Sequence, residues 1–181
     1  LPDDYDKETR SYPVNYVLDA EVNFTPWATI TNHLSSSGQI PEMIIVATSH
    51  KDKFAEFNSP KARETFTDFL TKELIPYIDQ NYRTENYKLL SGWSVSATAA
   101  LNISFIHSNL FNGTTLISPA IEPDKLKALI GKLKQSPKLS VFTAAGIESP
   151  EFLTGFKALE TQLRQLPKKT EFKFGSIHLN S

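Results

Sequence analysis

The sequence predicts an α/β fold with a mostly parallel central sheet, and three observations carry that expectation. Strand-like and helix-like segments alternate along the chain, as they do in successive βαβ units. Residues 43–47, Met-Ile-Ile-Val-Ala, form a continuous apolar run of the kind found in strands covered on both faces. Small residues (Ala97, Thr98, Ala99, Ala100) open a helical pattern directly behind an apolar strand.

In chain order, the first strand is expected over 14–19 and ends in an acidic turn. A short helix over 24–34 follows, with Pro26 tolerable in its first turn. The run 43–47 is the second strand. A polar stretch, 48–60, leads to a helix over 61–81, whose Phe66, Phe69, Leu70, Leu74, Ile75 and Ile78 recur at three- and four-residue spacing. Pro76 lies inside that pattern and should kink or break the helix. A strand over 87–91 passes at once into a helix over 94–108. A strand over 113–117 and a helix over 124–133, started by Pro123, come next. A strand over 139–145, a helix over 149–166 with Pro150 at its first position, and a short strand over 171–174 complete the pattern. Helices should cover both faces of the sheet, with ligands at the carboxyl ends of its strands.

Composition narrows the function classes. A chain of 181 residues suits one domain. Its 40% hydrophobic and 22% charged residues fit a globular protein rather than a disordered one. With a formal net charge of −1 and scattered Lys and Arg, there is no basic face for nucleic acid. No apolar run approaches the roughly 20 residues of a membrane-spanning helix. The absence of cysteine excludes disulfides, zinc–thiolate sites and thiol catalysis, and it fits a cytoplasmic, periplasmic or secreted setting equally.

The chemistry-bearing segment is Gly92-Trp93-Ser94-Val95-Ser96, between strand and helix. A nucleophile elbow belongs at such a junction. A sharp turn lifts the serine hydroxyl clear, small residues two before and two after let strand and helix approach, and the helix start offers N–H groups to an oxyanion. The competing reading is an ordinary βα turn with Ser94 as helix cap. An elbow serine needs an acid and then a base further along the chain. Glu148, just past strand 139–145, fits the acid, or else it is a solvated residue near a helix start. His178, after the last strand, fits the base, or else it is a surface histidine in the tail. His33 and His107 sit in or near helices, and His50 precedes the serine. The second oxyanion donor is expected in the loop after the first strand, so the backbone N–H groups of Val95 and Glu21 take that role. Trp93 either lines a substrate pocket or packs as a core aromatic beneath the neighbouring helix.

The chain resembles the putative esterase family of α/β-hydrolases, which includes enterochelin (ferric siderophore) esterases, IroE-like serine hydrolases and relatives of S-formylglutathione hydrolase. The resemblance lies in Tyr12 through Glu21 (Tyr-Pro-Val-Asn-Tyr-Val-Leu-Asp-Ala-Glu), Ile40 through Val46, Phe69-Leu70, Glu73 through Ile78, Asn81-Tyr82-Arg83, and Leu116-Ile117-Ser118-Pro119. It implies an α/β-hydrolase fold and cleavage of carboxylic esters without cofactor or metal, with nucleophile Ser94, acid Glu148 and base His178. It also implies a single domain over 1–181 that lacks the N-terminal strand or strands and the C-terminal helix of relatives. The sequence departs from the family at Trp93, which replaces a histidine, at Ser96-Ala97, which replace two glycines, at 48–60, which lacks an Arg-rich loop, and at Asn180, which replaces a serine. A second reading follows from these departures: a catalytically impaired binding or interaction module on a hydrolase scaffold. Acyl transfer to an alcohol is a third. The expected ligand in every case is a small-molecule ester, and oligomeric state is left open.

Overall fold

Seven consecutive buried residues, Tyr12–Leu18, form strand β1. A strand covered on both faces gains nothing from alternating polarity, which is why its sequence carries apolar residues at successive positions. The computed structural model describes residues 1–122, 126, 139–146, 150–165 and 172–176. The chain divides into two compact units, Leu1–Leu89 and Leu90–Ser181.

In the first unit β1 lies between β2 (Ile44–Thr48) and β3 (Thr84–Trp93), and β3 continues into the second unit. β1 and β2 are parallel, in a register running from Val14↔Ile44 to Leu18↔Thr48. The connecting helix α1 spans Ala20–Ser36 and starts earlier than its sequence pattern suggests. Asp19 adopts a left-handed conformation (φ 64°, ψ 57°) that turns the chain from strand straight into helix, and its carbonyl accepts the N–H groups of Val22 (3.2 Å) and Asn23 (2.9 Å). Pro26 consequently lies inside the helix rather than in its first turn.

The polar stretch after β2 contains a helix that periodicity did not reveal, α2 (Lys53–Asn58), capped by Asp52, whose carboxylate accepts the Ala55 N–H at 3.0 Å. Ser59 caps α3 (Pro60–Asp68) through the Ala62 N–H at 3.3 Å. The long helix expected here is interrupted before Pro76, by a π-helical segment at Phe69–Leu74, and resumes as α4 (Ile75–Asn81). A proline within an α-helix clashes with the carbonyl four residues back, and the wider π turn relieves that crowding. The turn also sorts two adjacent apolar residues, leaving Leu70 0% exposed and Phe69 39% exposed.

The second unit has the strand order β3-β4-β5-β6. β4 (Gly113–Ile117), β5 (Ser140–Ala145) and β6 (Phe172–Ser176) are parallel neighbours. Helix α5 (Val95–Ile106) follows β3 and buries Ser96, Ala97, Ala99, Ala100 and Ser104 beside Leu101, Ile103 and Phe105. Small residues on so many positions let the helix backbone lie close to its strands. Helix α6 (Pro150–Arg164) sends Leu159 and Leu163 into the core. A side chain at its Gly155 would meet the Ile121 carbonyl oxygen at 2.1 Å, so α6 packs backbone to backbone on the loop after β4. The helix expected over 124–133 lies outside the described residues, apart from Leu126, which is helical and buried. Among the described residues no helix is long and apolar enough to cross a membrane.

Truncating Leu70 to Ala should cost about 2–5 kcal/mol of stability, through lost transfer energy and a residual cavity. Phe69→Ala should cost markedly less, because much of that ring is already in water. Urea unfolding of the two variants measures the difference.

Candidate active site

The turn from β3 into α5 is built around Ser94, which is half-buried and held at φ 61°, ψ −123°. Backbone of this kind is strained for a residue with a Cβ and persists only where its surroundings enforce it. The enforcing contacts are visible in the second unit. Ser94 N–H donates to the Ile117 carbonyl at 2.9 Å, and the Ser94 carbonyl accepts the N–H groups of Thr98 (3.2 Å) and Ala120 (3.4 Å). Thr98 Oγ1 ties the same loop down by donating to the Ala120 carbonyl at 2.8 Å. The loop has its own left-handed residue, Ser118 (φ 45°), whose N–H donates to the Ala144 carbonyl at 2.7 Å. The carboxyl ends of β3, β4 and β5 are thus linked through the turn.

Ser94 occupies the cap position of α5, yet its side chain makes no capping hydrogen bond. The hydroxyl is therefore not used to satisfy the helix start. Val95 opens the helix, and an N–H in a first helical turn has no intrahelical acceptor. Gly92 has to be glycine: a Cβ there would sit 2.5 Å from the Ser96 carbonyl oxygen and 2.7 Å from the Ala97 nitrogen. Ser96 is fully buried, and among the described residues its Oγ finds no hydrogen-bond partner. Trp93 ends β3 and is 42% exposed, so it is not a core aromatic. Glu148 and His178 lie outside the described residues.

Glu21 belongs to the first unit, in the first turn of α1. Its exposed carboxylate accepts the His50 backbone N–H at 2.5 Å. The N–H groups of Glu21 itself and of His50 hold this carboxyl below the usual carboxylate range. The neighbouring Asp19 is buried, with Lys53 Nζ 3.4 Å from its Oδ2. The side chain of His50, set aside on chain order alone, is buried as well, at 1% exposed. Its Nδ1 lies 2.7 Å from Glu56 Oε2 and its Nε2 lies 3.3 Å from Thr48 Oγ1. Phe57 and Phe66 flank the ring at centroid distances of 4.8 and 5.1 Å. Asp19, Glu21, His50, Lys53 and Phe54 line a cavity of about 360 Å³. Chain position gave no signal for this cluster, although the cap residues Asp52 and Ser59 could have marked the helices that carry it. Among the described residues no group of three His, Asp or Glu side chains is disposed to hold a metal ion.

Two substitutions test the turn. Gly92→Ala should destabilise the protein by more than 2 kcal/mol, on the order of a severe overpacking defect, because the obstruction is backbone rather than a movable side chain. Ser96→Ala should be neutral or stabilising by up to about 1 kcal/mol, because it removes a buried hydroxyl that has lost its water and gained no partner. Thermal unfolding reads both.

Comparison with known proteins agrees with this architecture. The family model described as "Putative esterase" matches residues 1–170. No curated protein sequence matches the chain. Among solved structures, an IroE-like serine hydrolase from Shewanella oneidensis superposes with a TM-score of 0.86 at 24% identity, covering 98% of this chain and 67% of that one. A ferulic acid esterase from Anaeromyces mucronatus, solved in complex with ferulic acid, gives 0.74 at 17% identity, covering 99% and 76%. Enterochelin esterase from Shigella flexneri gives 0.75 at 18% identity, covering 92% of this chain and 46% of that one. At such identities the structural matches speak for the fold, which is that of the α/β-hydrolases. The family match extends over nearly the whole chain, and the chain therefore belongs to the putative esterase family, enzymes that hydrolyse carboxylic esters.

Proposed function

We propose that the protein cleaves small-molecule carboxylic esters through an acyl-enzyme formed on Ser94. The observation that carries this reading is the conformation of Ser94, a non-glycine residue held at positive φ between β3 and α5, with its hydroxyl unused in capping the helix. Strain of this kind collects at functional turns.

In this mechanism His178 takes the Ser94 hydroxyl proton while Oγ bonds to the ester carbonyl carbon. Glu148 orients the imidazole and stabilises its charged form. The carbonyl oxygen gains negative charge and is held by the backbone N–H of Val95 and by that of Glu21, which first gives up its own carboxylate; losing one such donor typically costs about 2.7–4 kcal/mol in the barrier. Collapse of the tetrahedral intermediate breaks the bond to the alkoxy oxygen, which takes the proton from His178 and leaves as the alcohol. Water, deprotonated by His178, then releases the acid and regenerates Ser94. Trp93, exposed beside the nucleophile, lines the acyl or alcohol pocket. No cofactor enters these steps. One named relative is a ferulic acid esterase solved in complex with ferulic acid and another is an enterochelin esterase, and small esters of either kind fit the proposal.

The test is turnover of p-nitrophenyl acetate and butyrate by the wild-type protein and by Ser94→Ala. The variant should lose at least about 1,000-fold in kcat. Equal rates for the two proteins overturn the proposal, as does failure of a fluorophosphonate probe to label Ser94.

A further inference from the structure

We propose that Thr98 is a positioning residue for ester hydrolysis: its hydroxyl staples the loop after β4 onto the nucleophile turn and so aims the Ser94–Val95 peptide. The inference rests on the reading of Ser94 as nucleophile and of the Val95 N–H as an oxyanion donor. Every group in it belongs to the second unit.

A helical threonine ordinarily donates its hydroxyl to the carbonyl four residues back. Thr65, Thr67, Thr154 and Thr161 do so at 2.7–3.1 Å. Thr98 takes a different acceptor. The carbonyl four residues back, that of Ser94, lies 3.5 Å from its Oγ1, whereas the Ala120 carbonyl lies at 2.8 Å. At these distances the first is a marginal contact and the second a full hydrogen bond. The Ser94 carbonyl is instead engaged by two N–H groups, of Thr98 at 3.2 Å and of Ala120 at 3.4 Å. Ser94, Ala120 and Thr98 therefore form a closed circuit, in which Ala120 is gripped through both its N–H and its carbonyl.

This circuit bears on the chemistry through one peptide group. In a planar trans peptide the N–H points away from the carbonyl. The bonds that hold the Ser94 carbonyl thus set the direction of the Val95 N–H, and they oppose relaxation of the strained Ser94 dihedrals. The bond from Ala120 is long, so it lasts only while Ala120 is kept in place. The loop is anchored on either side of that residue. Ser118 N–H donates to the Ala144 carbonyl at 2.7 Å, and the Ile121 carbonyl lies so close to Gly155 of α6 that a Cβ there would sit 2.1 Å from its oxygen. Between these anchors the Thr98 hydroxyl is the side-chain bond that ties the loop to the turn. A donor or nucleophile displaced by about an ångström can cost up to about 100-fold in rate, so slackness in the circuit should be read in kcat.

The experiment measures kcat and KM for p-nitrophenyl butyrate, and the rate of labelling by a fluorophosphonate probe, in the wild type, Ser94→Ala, Thr98→Val, Thr98→Ser and Thr161→Val. All are assayed well below their thermal unfolding. Thr98→Val keeps the shape and loses the donor. It should lower kcat by about 10-fold and slow labelling by a similar factor, with KM changed less than about threefold, as expected for an interaction realised in the transition state. Thr98→Ser keeps the hydroxyl and should regain most of that loss. Thr161→Val removes an exposed helical hydroxyl bonded in the ordinary way and should stay within about twofold of wild type. If wild-type turnover depends on Ser94 but kcat of Thr98→Val stays within about threefold, the positioning role is overturned and the hydrolase reading stands. Equal losses in Thr98→Val and Thr98→Ser, or an equal loss in Thr161→Val, overturn it as well. Should Thr98→Val not fold, Thr98→Ala removes the same bond without adding bulk and decides the matter by the same split. Equal turnover by wild type and Ser94→Ala overturns both readings together.

Discussion

The close approach of Gly92 to the backbone of Ser96 and Ala97 is the constraint on which the candidate site depends. A strand can pass into a helix within two residues only if nothing projects between them, and at this point no side chain does. Once the approach is made, Ser94 has no relaxed conformation left, and its positive φ follows. The hydrogen bonds from Ser94 to Ile117 and from Ala120 to Ser94 then make the conformation stiff as well as strained. Thr98, one turn into the helix, completes the closure. A preorganised turn of this sort spends folding energy so that little rearrangement is needed when charge develops on a bound group.

Much of this was legible in the sequence because the forces involved are local. β4 runs over Gly113–Ile117, just as apolar content and turn residues indicate, and β5 begins one residue later than its pattern. Pro150 marks the start of α6 as a helix-initiating proline should. The elbow itself is a local pattern, a glycine two residues before a serine at a strand–helix junction. What escaped the sequence depends on tertiary context. The left-handed Asp19 draws the start of α1 back to Ala20, and nothing in the hydrophobic periodicity encodes a single inverted dihedral. Pro76 interrupts its helix indirectly, through a π turn upstream that residue order alone does not specify. The burial of His50 depends on Phe57 and Phe66 reaching it from α2 and α3, and a polar stretch gives no hint of an aromatic box.

The departures from the family pattern acquire a physical meaning here. Ser96 stands where a second glycine is usual, and its backbone still reaches Gly92. The extra hydroxyl is accommodated at a cost in unsatisfied polarity rather than by displacing the turn. Where relatives have an Arg-rich loop, this chain has a segment in which Lys53 faces Asp19 and His50 faces Glu56.

Asp19, Ser94 and Ser118, the non-glycine residues at positive φ among those described, each stand at the first position beyond a strand: β1, β3 and β4. Glycine would adopt these dihedrals with less strain, yet a side chain is retained at all three. A chain evolving for durability alone would relax such corners, and gain robustness by doing so. In this chain the strained corners are gathered at the exits of its strands, where each one fixes the direction in which the backbone leaves the sheet.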